Sequence, residues 1–190
     1  MKTAICIASG PSLTQEDVDY CQGKGKIYAV KEAALAAPWA DVLYAADTDW
    51  WTEHKDRWEG FKGEKWTVSE RACILFPQIN HIKCKTELKW SSEPGVIATG
   101  GNSGFQVLNM AVLDGADRVI LLGFDYGFDP AQQDKHWWEK DHPRNSRFSN
   151  YAEWNRRLAA AAPLIPVPVL NASRQTAITC FEQINLRDVL

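Results

Sequence analysis

The sequence lacks the features that mark membrane, secreted and nucleic-acid-binding proteins. None of its apolar runs approaches the roughly 20 residues of a membrane-spanning helix, and its net charge of -3 gives no overall basic field for DNA or RNA. Its five cysteines are an odd number without a C-x-x-C pair, which argues against a disulfide framework and favours reduced thiols. The apolar start lacks the core and cleavage site of a signal peptide. We therefore expect a cytoplasmic protein without a membrane span.

Two common nucleotide-binding motifs are also absent. The sequence contains neither G-x-G-x-x-G nor the P-loop pattern, which disfavours dinucleotide oxidoreductases and P-loop kinases. It contains no internal repeat and no low-complexity segment. Because 190 residues suffice for one sizeable core but not for two ordinary domains, we expect residues 1–190 to form a single domain.

Short apolar runs rich in β-branched residues alternate with helix-like segments, a pattern typical of buried parallel strands. The predicted strands are 3–8, 26–30, 42–46, 65–68, 95–98, 118–124 and 167–170, and the predicted helices are 14–21, 32–37, 48–58, 103–114 and 150–162. This alternation predicts an α/β fold with a Rossmann-like, GT-A-like, doubly wound and mostly parallel sheet. Ligands of such sheets bind beyond the carboxyl ends of the strands. The polar stretch 129–149 lacks periodicity, and we expect a mobile or functional loop there.

Two turns rich in glycine and hydroxyl residues lie between a predicted strand and a helix, at 8–13 and 99–104. Such turns let backbone N–H groups and the helix N-terminus approach an anion, although the first could be an ordinary tight turn. Both would lie on the same edge of the sheet, so together they predict a nucleotide site. The predicted nucleotide contacts in these turns are Ser9, Gly10, Pro11, Ser12, Asn102, Ser103 and Gly104.

A third group of candidate residues follows the strand at 118–124. Asp125 ends that strand, where carboxylates are often catalytic, and His142 is a candidate general base. Asp125 could instead cap a turn, and His142 could lie on a solvated loop. His136, Asp141 and His142 could instead bind a metal, although their spacing matches no strong ligand signature.

A D-x-D pattern follows the third predicted strand. Asp47 and Asp49 resemble the carboxylates that hold a cation against a diphosphate in metal-dependent glycosyltransferases, but Asp49 could simply occupy the first turn of the next helix. Four arginines could form a local basic groove: Arg144, Arg147, Arg156 and Arg157.

Five short motifs occur in the same order as in the bacterial sialyltransferases that use a CMP-sugar donor. They are G-P-S-L at 10–13, S-G at 103–104, GADRVILLGFDY at 115–126, DHPRN at 141–145 and VLNAS at 169–173. The chain also resembles related phage-encoded proteins and, more distantly, archaeal hydroxymethylpterin pyrophosphokinase-like proteins. The resemblance covers most of the chain except about 58–93.

The resemblance implies roles for individual residues. It implies that the two turns contact the nucleotide, that Tyr126 lies near the donor phosphate, that His142 is the base, and that Asn171 and Ser173 border the nucleotide. The chain departs from this family at Lys31 and Asp47, where the family has asparagine. Lys31 could pair with a phosphate, signal a different donor or mean that the family activity is lost, and Asp47 leaves cation dependence open.

The leading hypothesis is a glycosyltransferase that uses a CMP- or UDP-sugar. His142 would deprotonate an acceptor hydroxyl, with Asp125 as a further catalytic candidate, while Lys31, Tyr126 and the turn amides stabilise the leaving phosphate. The acceptor would be a glycan or a hydroxymethylated base of phage DNA in the host cytoplasm. On the acceptor side we expect Trp137, Trp138 and Arg144.

Two other functions use the same fold. A pterin-type pyrophosphokinase would need ATP and a divalent cation held by Asp47, Asp49 or Asp125. A non-catalytic nucleotide-binding module would bind tightly without turnover, with the Trp137-Trp138 loop as a lid.

Overall fold

The computed structural model describes residues 1–127 and 150–190. Ten strands lie in this part of the chain. They are β1 (Thr3–Ile7), β2 (Lys26–Val30), β3 (Val42–Tyr44), β4 (Glu64–Thr67), β5 (Asn80–His81), β6 (Lys83–Lys85), β7 (Val96–Ala98), β8 (Arg118–Leu122), β9 (Val169–Asn171) and β10 (Glu182–Gln183). Because several apolar β-branched runs are fully buried, strand formation here follows from burial on both faces of a sheet.

The main sheet has eight strands in the order β10-β9-β8-β1-β2-β3-β4-β5. All its neighbouring strands run parallel. The chain moves outward in one direction from β1 to β5 and then in the other from β8 to β10, so the direction of winding reverses between β1 and β8. This confirms the predicted doubly wound α/β fold, and it places the binding crevice of such sheets beyond the ends of β1 and β8.

Eight helices accompany the strands in the described residues. They are α1 (Gln15–Tyr20), α2 (Ala33–Ala36), α3 (Thr48–Glu53), α4 (Lys55–Trp58), α5 (Glu70–Leu75), α6 (Ser103–Leu113), α7 (Tyr151–Ala161) and α8 (Leu186–Val189). The predicted caps are present: Thr14 accepts from the Asp17 N–H at the start of α1, and Asn102 accepts from the Phe105 N–H at the start of α6. No helix of the described ranges is long and apolar enough to cross a membrane.

Alternate residues of each central strand pack against different helix layers. Ile5 and Ile7 of β1 join a core with α1 to α5 and α8, whereas Ala4 and Cys6 join a core with α6 and α7. The first core contains the tryptophans of α3 and α4, and the second contains the buried face of α6. The sheet is therefore covered on both faces, which leaves its edges at the strand ends as the place for a site.

The structure corrects parts of the predicted element list. The run at 95–98 does form a buried parallel strand, but β7 pairs with β6 in a separate two-stranded sheet. The strands β5, β6 and β10 were not predicted, because they are two or three residues long and largely polar. The predicted helix 48–58 is two helices, interrupted at His54. The predicted loop 129–149 lies outside the described residues.

Candidate functional site

A cavity of about 570 Å³ lies at the carboxyl ends of β1, β2, β3 and β8. Its volume is within the range of small-molecule sites. Both glycine-containing turns reach it, so the structure brings them together as expected. The lining residues are Ala8, Ser9, Gly10, Pro11, Val30, Lys31, Ala46, Asp47, Val68, Thr99, Gly101, Asn102, Ser103, Gly104, Gln106, Gly123, Phe124, Asp125, Tyr126, Tyr151 and Trp154.

The first turn, after β1, is bound to the turn that follows β8. The Gly10 N–H donates to the Gly123 carbonyl at 2.9 Å, and the Ser12 N–H and hydroxyl donate to the two Asp125 oxygens at 2.7 Å each. Pro11 has no N–H. The amides of Gly10 and Ser12 are therefore already used within the protein. Contact of this turn with a nucleotide stays a prediction, and Ser9, Gly10 and Pro11 of the turn line the cavity.

Gly10 is required sterically where the two turns meet. A Cβ at this position would lie 2.4 Å from Asp125 Oδ1 and 2.6 Å from the Gly123 carbonyl oxygen. Asp125 itself is buried, and burial raises the pKa of its carboxyl, while the hydrogen bonds from Ser12 offset part of that rise. Asp125 therefore holds the first turn through Ser12 and also lines the cavity, and its catalytic role stays a prediction.

The second turn leads into α6 and leaves donors free. The N–H groups of Ser103 and Gly104 have no acceptor among the described residues, as is usual for the first residues of a helix. Asn102 Oδ1 accepts from the Phe105 N–H at 2.9 Å and from the Tyr126 hydroxyl. Its Nδ2 is buried and has no partner in the described chain. Three neighbouring donors at the start of α6 therefore have no acceptor in the described part of the chain, and a helix N-terminus favours an anionic acceptor.

Tyr126 joins the two sides of the cavity. It has a left-handed backbone, with φ of 44°, and its carbonyl accepts from Asn155 Nδ2 at 2.9 Å. Its ring meets Trp154 edge-on at 5.8 Å between centroids, and its hydroxyl donates to Asn102. Burial raises the pKa of Tyr126 despite the hydrogen bond from its hydroxyl to Asn102, so the phenol stays neutral at physiological pH.

Lys31 and Asp47 form an ion pair in the wall of the cavity. Lys31 Nζ lies 2.6 Å from Asp47 Oδ2, and both residues line the cavity. They follow β2 and β3, which are neighbouring parallel strands. The two positions at which the sequence departs from the sialyltransferase pattern therefore contact each other.

Among the described residues, four predicted site residues do not line the cavity. Ser12 is half-buried and bound to Asp125, and the buried Ser173 accepts from the Phe124 N–H through Oγ at 2.7 Å. Asn171 is fully buried and donates to Thr176 at 3.0 Å. Through these hydrogen bonds the three residues support the turns without lining the cavity. Asp49 lies in the first turn of α3, exposed and outside the cavity lining.

Several candidates fall outside the described residues: His136, Trp137, Trp138, Asp141, His142, Arg144 and Arg147. Within the described ranges no group of three or more His, Cys, Asp or Glu could hold a metal ion. Arg156 and Arg157 of the expected basic groove both bind Glu153, at 2.7 Å each, so Glu153 compensates one of their two positive charges.

Sequence reasoning missed part of the cavity wall. Gln106 is buried in the first turn of α6, where its Oε1 accepts from the Tyr44 hydroxyl at 3.0 Å. Its position three and four residues after Ser103 and Asn102 puts it on the same helix face, a signal that helical spacing could have given. Tyr151 and Trp154 gave no such signal, because their approach to the cavity depends on how α7 packs.

Comparison with known proteins assigns no family. No protein-family model matches the chain, and no curated protein matches its sequence. Solved structures with a similar course of the chain include thiamine pyrophosphokinase from Bacillus subtilis, at 13% identity and a TM-score of 0.45, covering 91% of this chain and 61% of that one. They also include the monofunctional alpha-2,3-sialyltransferase Cst-I from Campylobacter jejuni, at 14% identity and a TM-score of 0.45, covering 98% of this chain and 82% of that one. The chain therefore spans less than two thirds of the length of the thiamine pyrophosphokinase.

Proposed function

We propose that the cavity binds a nucleotide-sugar and that the chain is a glycosyltransferase-like enzyme. The observation that carries the proposal is a set of donors at the start of α6 that have no acceptor among the described residues: the N–H groups of Ser103 and Gly104 and the buried Nδ2 of Asn102. A buried donor without a partner is costly, and a phosphate oxygen is the acceptor that a helix N-terminus favours.

The charge of the wall supports a donor with a single phosphate. The charged residues of the lining are Lys31, Asp47 and Asp125. Asp47 compensates Lys31 at 2.6 Å, so the described wall has no net positive charge. A diphosphate without a cation would be poorly neutralised there, whereas the single negative charge of a phosphodiester suits neutral amide donors. We therefore favour a CMP-sugar over a UDP-sugar.

The transfer step needs a base. In the proposed reaction His142 takes the proton of an acceptor hydroxyl, whose oxygen bonds to the anomeric carbon while the bond from that carbon to the phosphate oxygen breaks. The α6 donors stabilise the charge that grows on the departing CMP. A glycan is the acceptor we favour, because Glu153 already pairs with Arg156 and Arg157, two of the candidate DNA contacts.

Ligand-binding measurements test whether the cavity binds a nucleotide. In calorimetry and thermal-shift measurements with CMP, UDP, GDP and ATP, we expect CMP to bind best and without Mg²⁺. Asn102→Ala removes the helix cap and the unpaired donor, and should weaken CMP binding about tenfold. The control is Asn185→Ala, which removes the cap of α8 away from the cavity and should leave affinity unchanged.

Assays of sugar transfer test whether His142 is the base. His142→Ala should abolish sugar transfer and leave CMP affinity nearly intact. Persistent transfer would remove His142 from the mechanism. Binding of ATP that requires Mg²⁺ would favour a pyrophosphokinase instead, and tight binding with no turnover of any sugar donor would favour a non-catalytic module.

A further inference from the structure

The Lys31–Asp47 pair is built into the cavity more firmly than an ordinary surface ion pair. Lys31 has a left-handed backbone, with φ of 51°, which non-glycine residues adopt at a cost. Its N–H donates to the Tyr44 carbonyl at 3.0 Å, which ties it to β3. Such strain persists only where surrounding contacts fix it, and it is common at ligand sites.

Glu32, the residue after Lys31, fixes this part of the backbone through buried contacts. Glu32 is buried and accepts from Trp50 Nε1 at 2.9 Å. His54 Nε2 lies 3.2 Å from the same carboxyl oxygen, also in a buried position. Trp50 belongs to α3, the helix that follows Asp47. The same helix therefore fixes Glu32 and presents Asp47, so both members of the pair are held by one rigid unit.

Asp47 faces the cavity instead of capping its helix. It occupies the N-cap position of α3, where an aspartate normally accepts from a backbone N–H, yet its side chain makes no such bond. Its carboxylate is bound to Lys31 instead, and its side chain remains 60% exposed. One carboxylate oxygen and part of the ammonium group are thus available to a ligand.

The pair suits a neutral group better than an ion. An anion that approaches Lys31 meets the carboxylate of Asp47, and a cation that approaches Asp47 meets the ammonium of Lys31. A hydroxyl group is both donor and acceptor, so neighbouring hydroxyls can donate to Asp47 and accept from Lys31 at the same time. The geometry therefore selects for a polyol.

We propose that Lys31 and Asp47 bind the vicinal hydroxyls of a sugar ring in the ligand. This inference rests on the proposed function, and it adds which part of the nucleotide-sugar this wall recognises. The ring is either the ribose of the nucleotide or the sugar that is transferred. The two sources share their chemistry, and the following measurement separates them.

The test compares three ligands by calorimetry: CMP, 2′,3′-dideoxy-CMP and CMP-sialic acid. If the ribose is bound, the protein prefers CMP to the dideoxy compound by about tenfold or more. If the transferred sugar is bound, CMP and dideoxy-CMP bind alike and CMP-sialic acid binds more tightly. In either case the double variant Lys31→Met/Asp47→Leu should erase the preference and keep the remaining affinity.

A second double variant, Lys31→Asn/Asp47→Asn, keeps a donor and an acceptor without charge. It should retain the preference within about threefold, since hydroxyl groups need hydrogen bonds and not net charge. Loss of the preference for CMP-sialic acid in this variant would indicate pairing of Lys31 with the carboxylate of sialic acid, and loss of either preference would overturn the polyol assignment. Melting temperatures without ligand show whether either variant is folded.

The outcomes separate the two proposals. Absence of both preferences in the unmodified protein, or their survival in the Met/Leu variant, overturns the sugar assignment while CMP binding still stands. Failure of the protein to bind any of the three ligands overturns the nucleotide proposal and this inference with it.

Discussion

At the scale of single residues, glycine matters most where the turns after β1 and β8 touch. Gly10 has no room for a side chain, because a Cβ would lie 2.4 Å from Asp125 Oδ1 and 2.5 Å from its Cγ. The neighbour is a buried carboxylate held by two hydrogen bonds from Ser12. A larger residue at position 10 must therefore displace the contact that joins the two turns.

Gly10→Ala should lower the free energy of unfolding by about 1–3 kcal/mol, the usual cost of overpacking. Gly60→Ala is the matched control, because nothing lies within 4 Å of its Cβ position, and it should change stability by less than about 0.5 kcal/mol. Urea unfolding of both variants measures the difference. Equal stability of the two variants would show that Asp125 can move away without loss.

The sequence predicted both turns but not which of their backbone amides are free. The turns were predicted from glycine and hydroxyl residues after apolar strands, and the structure brings both to one cavity. The use of the Gly10 and Ser12 amides by Gly123 and Asp125 depends on contacts more than 100 residues apart in the chain. No local pattern encodes such contacts, so the number of free donors was beyond prediction.

At the scale of elements, one acidic residue ties the two ends of the chain together. Asp17 of α1 accepts from Arg174 Nε at 2.6 Å and from Arg187 of α8 at 3.0 Å. Burial alone would raise its pKa, but the hydrogen bonds from Arg174, Thr14 and Arg187 outweigh burial and lower the pKa to about 2. These contacts fasten α1 to the segment after β9 and to α8.

This arrangement predicts a particular loss of stability in acid. The unfolded chain binds a proton at Asp17 more readily than the folded one, so stability is full above about pH 4 and falls as the pH drops toward 2. Asp17→Asn should lower the unfolding free energy at pH 7 by about 1–3 kcal/mol and flatten the acid dependence. Unfolding measured from pH 7 to 2 tests this.

The exposed Asp56 of α4 provides the control. Asp56→Asn should leave both the neutral stability and its acid dependence close to those of the unmodified protein. An unchanged acid slope in Asp17→Asn would mean that other carboxyl groups determine the loss.

Elements also show which structure a sequence can predict. The buried strands β1, β2, β3 and β8 were predicted because apolar side chains on both faces identify a covered parallel sheet. The exposed pairs of residues in β5 and β10 carry no such signal, and only their neighbours make them strands. The Lys31–Asp47 contact arises in the same way, from the parallel pairing of β2 and β3.

At the scale of the whole molecule, the two cores on opposite faces of the sheet divide their tasks. The core with α6 and α7 supports the second turn and Tyr126. The other core contains an aromatic cluster from α3, α4 and the end of α5, where Trp51 and Trp58, and Trp58 and Phe76, meet edge-to-face at 5.2 Å between ring centroids. Trp58 is 1% exposed and is not part of the cavity wall.

This division predicts that stability and binding can be separated. Trp58→Phe removes buried area and the hydrogen bond from Nε1 to the Trp51 carbonyl at 2.8 Å, and it should cost about 1–3 kcal/mol of unfolding free energy. The affinity for CMP should stay within about twofold of that of the unmodified protein, because the sheet lies between this aromatic cluster and the α6 donors. Calorimetry with CMP and urea unfolding of the same variant measure the two quantities. A loss of affinity that parallels the loss of stability would mean that the sheet transmits the change from one face to the other. The aromatic cluster would then contribute to ligand binding.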